Sequence, residues 1–184
     1  MDRKKLEEQI AQYPIFEYAF IEADKIPFRD KVRYICETEC PQYGRSWSCP
    51  PAVGTVRECR ERCARFDSGF LFTTLAEVND MENMEEMLDT RMEHEKITEQ
   101  VRRLFMEQCG KVLTLSTESC ALCKTCTYPD APCRRPEQML PCVESYGILV
   151  TELAEKCGIS FMNGAGVVTW FSLILYREDG TAQV

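Results

Sequence analysis

The stretch 119–141 limits this chain more than any other. Cys120, Cys123 and Cys126 follow one another at steps of three, Cys133 comes directly after Pro132, and Cys142 lies just beyond. Thiols at that spacing crowd one side of a single tight loop, which can turn several sulfurs toward one point. A disulfide knot, a zinc knuckle and accidental thiols are the alternatives. Zinc sites usually take paired Cys-x-x-Cys hooks across a longer insert, so three cysteines in consecutive steps of three point elsewhere.

The bacterial ferredoxin run Cys-x-x-Cys-x-x-Cys uses the same steps to grip three corners of a cubane cluster. Thiolate softness and spacing together favour iron–sulfur over zinc. Twelve cysteines among 184 residues is high usage, yet the opening decapeptide is charged and lacks the apolar stretch of a secretory signal. A cytoplasmic, reducing setting is therefore expected, in which thiols bind metal or lie buried rather than pair as disulfides. The length suits a single domain spanning 1–184. No apolar run approaches the ~20 residues needed to cross a bilayer, so no membrane association is expected. A formal net charge of −8 argues against a nucleic-acid partner.

Leu6 and Ile10 mark a short amphipathic helix over 2–12 that Pro14 stops. Alternation over 15–21 predicts a first strand, and residues 27–51 read as a loop holding Cys36, Cys40 and Cys49. Val56, Cys59, Cys63 and Phe66 share one face of a helix over 53–66, and 70–75 suits a buried strand. A long helix is expected over 81–109, capped by Asn79 or Asp80 and ended by Gly110. Residues 111–116 form a third strand that delivers the chain into the second cysteine loop. A helix that Pro136 and Glu137 could start, with its body over 143–157, a turn at Asn163-Gly164 that could tip a hairpin, and a strand over 167–176 follow. Strands alternating with helices predict an α/β or ferredoxin-like α+β fold, with a central sheet of four to five strands and the cysteine loops at strand ends.

Cys59, Cys63, Cys109 and Cys157 fall on helices and read as small hydrophobes of the core. Eight cysteines remain, which would make two clusters of four. Cys142, however, falls where a helix is expected to have begun, and burial as a plain thiol is the commoner fate. The candidate ligands are therefore Cys120, Cys123, Cys126 and Cys133 in one set and Cys36, Cys40 and Cys49 in another. The fourth cysteine of a ferredoxin run can ligate a second cluster, so crossed pairing is also open. The three-thiol set either borrows a ligand or leaves one iron open. Its spacing is not that of a radical-SAM loop.

Cys40-Pro-Gln-Tyr-Gly-Arg-Ser-Trp-Ser-Cys49-Pro-Pro, Cys120-x-x-Cys123-x-x-Cys126 and Pro132-Cys133-Arg134-x-Pro136-Glu137 together carry a resemblance. From about Val32 onward, through Glu144-Ser145-Tyr146-Gly147-Ile148 and the closing 168–175, the chain resembles the predicted metal-binding proteins of the domain of unknown function numbered 2284. The resemblance implies a metal-binding, iron–sulfur protein with no established reaction. Cys142 stands where that family more often has serine, and Glu118-Ser119 replaces its usual glycine-proline.

His94, the only histidine, lies between Glu93 and Glu95 and reads as part of a solvated face, so no Ser-His-Asp or Cys-His set can be built. Glu82, Glu85, Glu86, Asp89, Glu93 and Glu95 read as an acidic surface, and Met81, Met84, Met87 and Met92 as a soft contact surface or core. Arg134 and Arg135 would offset the charge of a thiolate-ligated cluster. The expected role is one or two [4Fe-4S] clusters passing electrons to a redox protein or enzyme partner. A structural zinc-binding interaction module, or an enzyme using an open iron, is the alternative.

Overall fold

The structure is a computed structural model that describes residues 1–177. Its elements run α1 (Arg3–Ile10), β1 (Tyr18–Glu22), α2 (Asp30–Thr38), α3 (Val56–Cys63), β2 (Ser68–Glu77), α4 (Met84–Cys109), β3 (Leu113–Leu115), α5 (Val150–Cys157) and β4 (Val167–Tyr176). The strands form one sheet in the order β1-β2-β4-β3, and each adjacent pair is antiparallel. This is an α+β fold. The α/β alternative, which needs a parallel sheet, does not hold. β2 and β3 both run against β4, which lies between them, so α4 carries the chain across β4 in the split β-α-β arrangement of ferredoxin-like sheets.

Both long strands are apolar on both faces because both faces are covered. Phe70, Phe72, Ile174 and Tyr176 point toward one layer, where they meet Leu6 and Ile10 of α1 and Ile97, Val101 and Phe105 of α4. Leu71, Leu173 and Leu175 point the other way, onto Cys59 and Cys63 of α3 and Leu153 and Ala154 of α5. Cys59 and Cys63 are thus core thiols, as their helical spacing predicts. Gly69, the second residue of β2, sits where a Cβ would come within 3.2 Å of both Ile21 and Leu175.

Several local expectations change. Residues 27–51 are not all loop, because Asp30–Thr38 is helical; Val32, Ile35 and Cys36 stand at helical spacing there, although only Val32 is buried. The cap of α4 is Asn83, whose side chain accepts from the Glu86 amide; Glu86 in turn accepts from Asn79 and Asp80, the residues expected to cap. The helix expected over 143–157 starts only at Val150. Ahead of it Glu144–Tyr146 forms a 3₁₀ turn that ends at Gly147, with φ +77°, where a Cβ would lie 2.8 Å from Val56 Cγ2. Asn163-Gly164 is no hairpin tip, since β4 pairs with β2 and β3.

His94 is the largest correction, for it is buried at 1 % exposure instead of facing solvent. Its Nδ1 lies 2.8 Å from Thr74 Oγ1 and its Nε2 2.8 Å from Ser172 Oγ, which also contacts Thr98 and Ser116. The flanking glutamates misled because a helix turns each neighbour about 100° away. Glu93 pairs with Lys96, while Glu95 lies 3.6 Å from Arg91. Met81, Met84 and Met92 are exposed.

Candidate metal centre

Two hollows lie side by side off the sheet, each lined by four cysteines. One gathers Cys120, Cys123, Cys126 and Cys133, with Ser46, Trp47 and Arg134 among its other walls. The other gathers Cys36, Cys40 and Cys49 with Cys142, beside Glu118 and Ser145. None of the eight is in a disulfide. Among the described residues no three His, Cys, Asp or Glu side chains are grouped as they would be around a metal ion. The thiols stand instead around the walls of the two spaces.

The second cysteine loop is held by hydrogen bonds because it has no helix or ladder of its own. Arg134 Nη1 donates to Thr125 O at 2.9 Å, Thr127 Oγ1 donates to Pro132 O at 2.9 Å, and the Ala131 amide donates to Thr127 O at 3.0 Å. Helix α4 braces both ends: Arg91 Nη1 donates to Ser119 O and Arg102 Nη2 to Glu137 O, each at 3.0 Å. Arg134 thus acts first as a tie for the loop backbone.

The first loop supplies a wall to both hollows. Trp47 Nε1 donates to Ala131 O at 3.1 Å, and its ring meets Tyr128 edge-on with centroids 4.9 Å apart. Next to it, Ser48 Oγ accepts from the Cys120 amide at 2.8 Å. Ser46 and Trp47 therefore face one hollow while Cys49 faces the other, and Ser119 and Cys120 are divided in the same way. No periodicity announces Ser46, Trp47 and Ser48 as parts of a site. Their place between Cys40 and Cys49 was the available signal.

Around the hollow of the first cysteine loop, here the first hollow or first site, Cys36 lies on α2 and Cys40 just past its end. Arg33, one turn before Cys36, donates to Gly54 O and Ser145 O at 2.7 Å each, and its buried Nε has no partner among the described residues. Cys142 lies in an extended segment paired with Ser116, not in a helix. The helix expected there does not form, so the backbone leaves Cys142 among the candidate ligands.

Burial pushes the Cys49 thiol up to about 11, with the Cys40 and Cys36 charges adding to the rise. Burial likewise raises Cys36, Cys120 and Cys142, the last well above an ordinary thiol. Cys126 goes the other way. Burial opposes its thiolate, but hydrogen bonds from the Tyr128 and Trp47 amides, the Ser46 hydroxyl and the Thr127 amide outweigh it. Such donors stabilise negative charge on sulfur, as they do around ligated thiolates. Crowded thiols of this kind cannot all ionise together without a cation, so metal uptake must release protons and weaken as pH falls.

Residues 19–176 match a family described as predicted metal-binding protein (DUF2284). The chain belongs to that family. The DUF2284 match takes in β1 as well as both cysteine loops and runs to the end of β4. No curated protein and no solved structure matches the chain. Metal binding is thus the family's predicted property, and the soft, all-sulfur donor sets of the two hollows fit it. A groove of about 410 Å³ also runs between α4 and the second loop, lined by Glu95, Glu99, Arg103 and Leu140. Cys120 lines this groove and the hollow of its own loop alike.

Proposed function

We propose that this DUF2284 protein binds iron–sulfur clusters of the [4Fe-4S] type in the two hollows and passes electrons to a redox protein or enzyme. The observation that carries the reading is the hollow lined by Cys120, Cys123, Cys126 and Cys133, four thiols from one loop that stand free of disulfides. When bound, a cluster there would supply one-electron chemistry at a potential set by hydrogen bonds to the sulfurs and by solvent access. The chain's own part is to supply soft anionic ligands, to hold them with Arg134, Trp47 and Ser48, and to place cations near them. Arg134 and Arg135 line this hollow. Ser48, whose hydroxyl lies 3.7 Å from Cys49 Sγ and accepts from the Cys120 amide at 2.8 Å, ties the two sites together and supports electron passage between them. The groove beside Cys120 gives a ligand of the second site an outward face for a partner.

Anaerobically purified protein should be brown, contain iron and sulfide, and bleach with dithionite. Colourless protein carrying stoichiometric zinc would overturn the reading and favour a structural zinc module. Cys123→Ser should remove the second-loop metal and loosen that loop, since metal binding energy is part of folding energy. Cys40→Ser should lower metal content by a separate increment, and Cys59→Ser should leave it intact because Cys59 lies in the apolar layer under α3. If Cys40→Ser and Cys123→Ser each remove all metal, the loops form one composite site.

A further inference from the structure

We propose that Cys142 is the fourth thiolate of the first site, so that each hollow is closed by four protein sulfurs. The inference rests on the reading above only in requiring that a metal group occupies the first hollow. Cys142 reaches the same space as Cys36, Cys40 and Cys49, although more than 90 residues separate it from the nearest of them in sequence.

Its backbone is fixed on both sides by Ser116. The Ser116 amide donates to Pro141 O at 2.8 Å, and the Val143 amide donates to Ser116 O at 2.9 Å. These bonds hold residue 142 extended and leave its side chain to the hollow. The Ser145 amide donates to Cys142 Sγ at 3.2 Å, and the Ser145 hydroxyl donates to Cys142 O at 2.6 Å. An amide donor to sulfur favours the thiolate, which is the form that binds metal. The core thiols differ: Cys59 Sγ lies 3.5 Å from Val53 O and takes a contact from Arg62, and it lines neither cysteine hollow.

Four sulfurs close the coordination of the first site. No position on its metal is left for a substrate, so this site transfers electrons or holds structure and does not bind a reactant at an open iron. The geometry therefore separates two of the roles that three thiols alone leave open.

Iodoacetamide labelling mapped by mass spectrometry tests the assignment on the full chain, with Cys157 as the half-buried reference thiol that belongs to neither hollow. In metal-loaded protein Cys36, Cys40, Cys49 and Cys142 should all resist labelling while Cys157 reacts, and chelation should make all four reactive. Cys142→Ser, which keeps the size and the Ser145 contact, and Cys142→Ala should both lower metal content. In the iron-loaded protein they should yield a three-iron signal on oxidation. Labelling of Cys142 in loaded protein overturns the proposal, as does wild-type metal content in Cys142→Ala where Cys49→Ala loses metal. If the metal is zinc, the iron–sulfur reading fails while the protection pattern still decides whether Cys142 is a ligand. Protein that holds no metal in any form overturns both.

Discussion

His94 is held neutral by the fold, since burial lowers its pKa from the ordinary 6.5 to about 3. A depressed histidine stabilises the folded state above its unfolded pKa, and that contribution is lost as pH falls toward the folded one. Stability should therefore decline between about pH 6.5 and 3, with His94 contributing up to ~1.4 kcal/mol per pH unit. His94→Gln keeps polar atoms near Thr74 and Ser172 and should flatten that slope, as read from urea midpoints against pH. An unchanged slope would assign the acid sensitivity to other groups. The burial of His94 was legible in principle, for residues 94, 97, 98, 101 and 105 share one helical face. Its two glutamate neighbours were the louder signal and the wrong one. The residue-level sorting of thiols fared better at Cys59 and Cys63, whose spacing of four matched their common burial under the sheet.

The elements that build the site are short loops pinned by a few side chains, and their dependence on each other was not visible in the pattern. Trp47 joins the loops by one hydrogen bond and one aromatic contact. Trp47→Ala should destabilise the protein by about 1–2 kcal/mol, the usual worth of an aromatic pair and a net hydrogen bond. It should also speed metal loss from the second-loop hollow more than from the first, measured as separate phases of metal release to a chelator. Equal acceleration of both phases would show that the wall fails as a unit. Helix α4, β2 and β4 were readable because their apolar residues recur over many turns or pleats, and packing agreed with propensity. Helix α2 carries Val32, Ile35 and Cys36 at helical spacing, but it is only nine residues long, buries only Val32 and lies in a cysteine-bearing stretch that reads as loop. The delayed start of α5 depends on Gly147 meeting Val56, a contact across about 90 positions that local reading cannot see.

At the scale of the molecule, the sheet and its two apolar layers are built without any of the eight hollow-lining cysteines, none of which is in either core cluster. Removing the metal should therefore leave the sheet folded while the cysteine segments open. Amide hydrogen exchange should show β2 and β4 protected as before, with protection lost over 36–49 and 117–142. Loss of protection in β4 as well would mean that metal binding and folding are a single transition, as in small zinc domains. The sheet order itself was not derivable from the sequence, because alternation tells which faces are buried but not which strands are neighbours.

The position of β4 has a consequence for the order in which the chain can be put together during synthesis. It is the last strand of the sheet to be made, yet it lies between β2 and β3. Until residues up to Tyr176 have emerged, β3 has no sheet partner, and the segment it feeds, which carries Cys120 to Cys142, can lean on α4 but not on the sheet. Cys36, Cys40 and Cys49 are by then long exposed as reactive thiols. Neither hollow can take its final form on the ribosome ahead of the sheet's centre, so metal delivery must wait until β4 has been made.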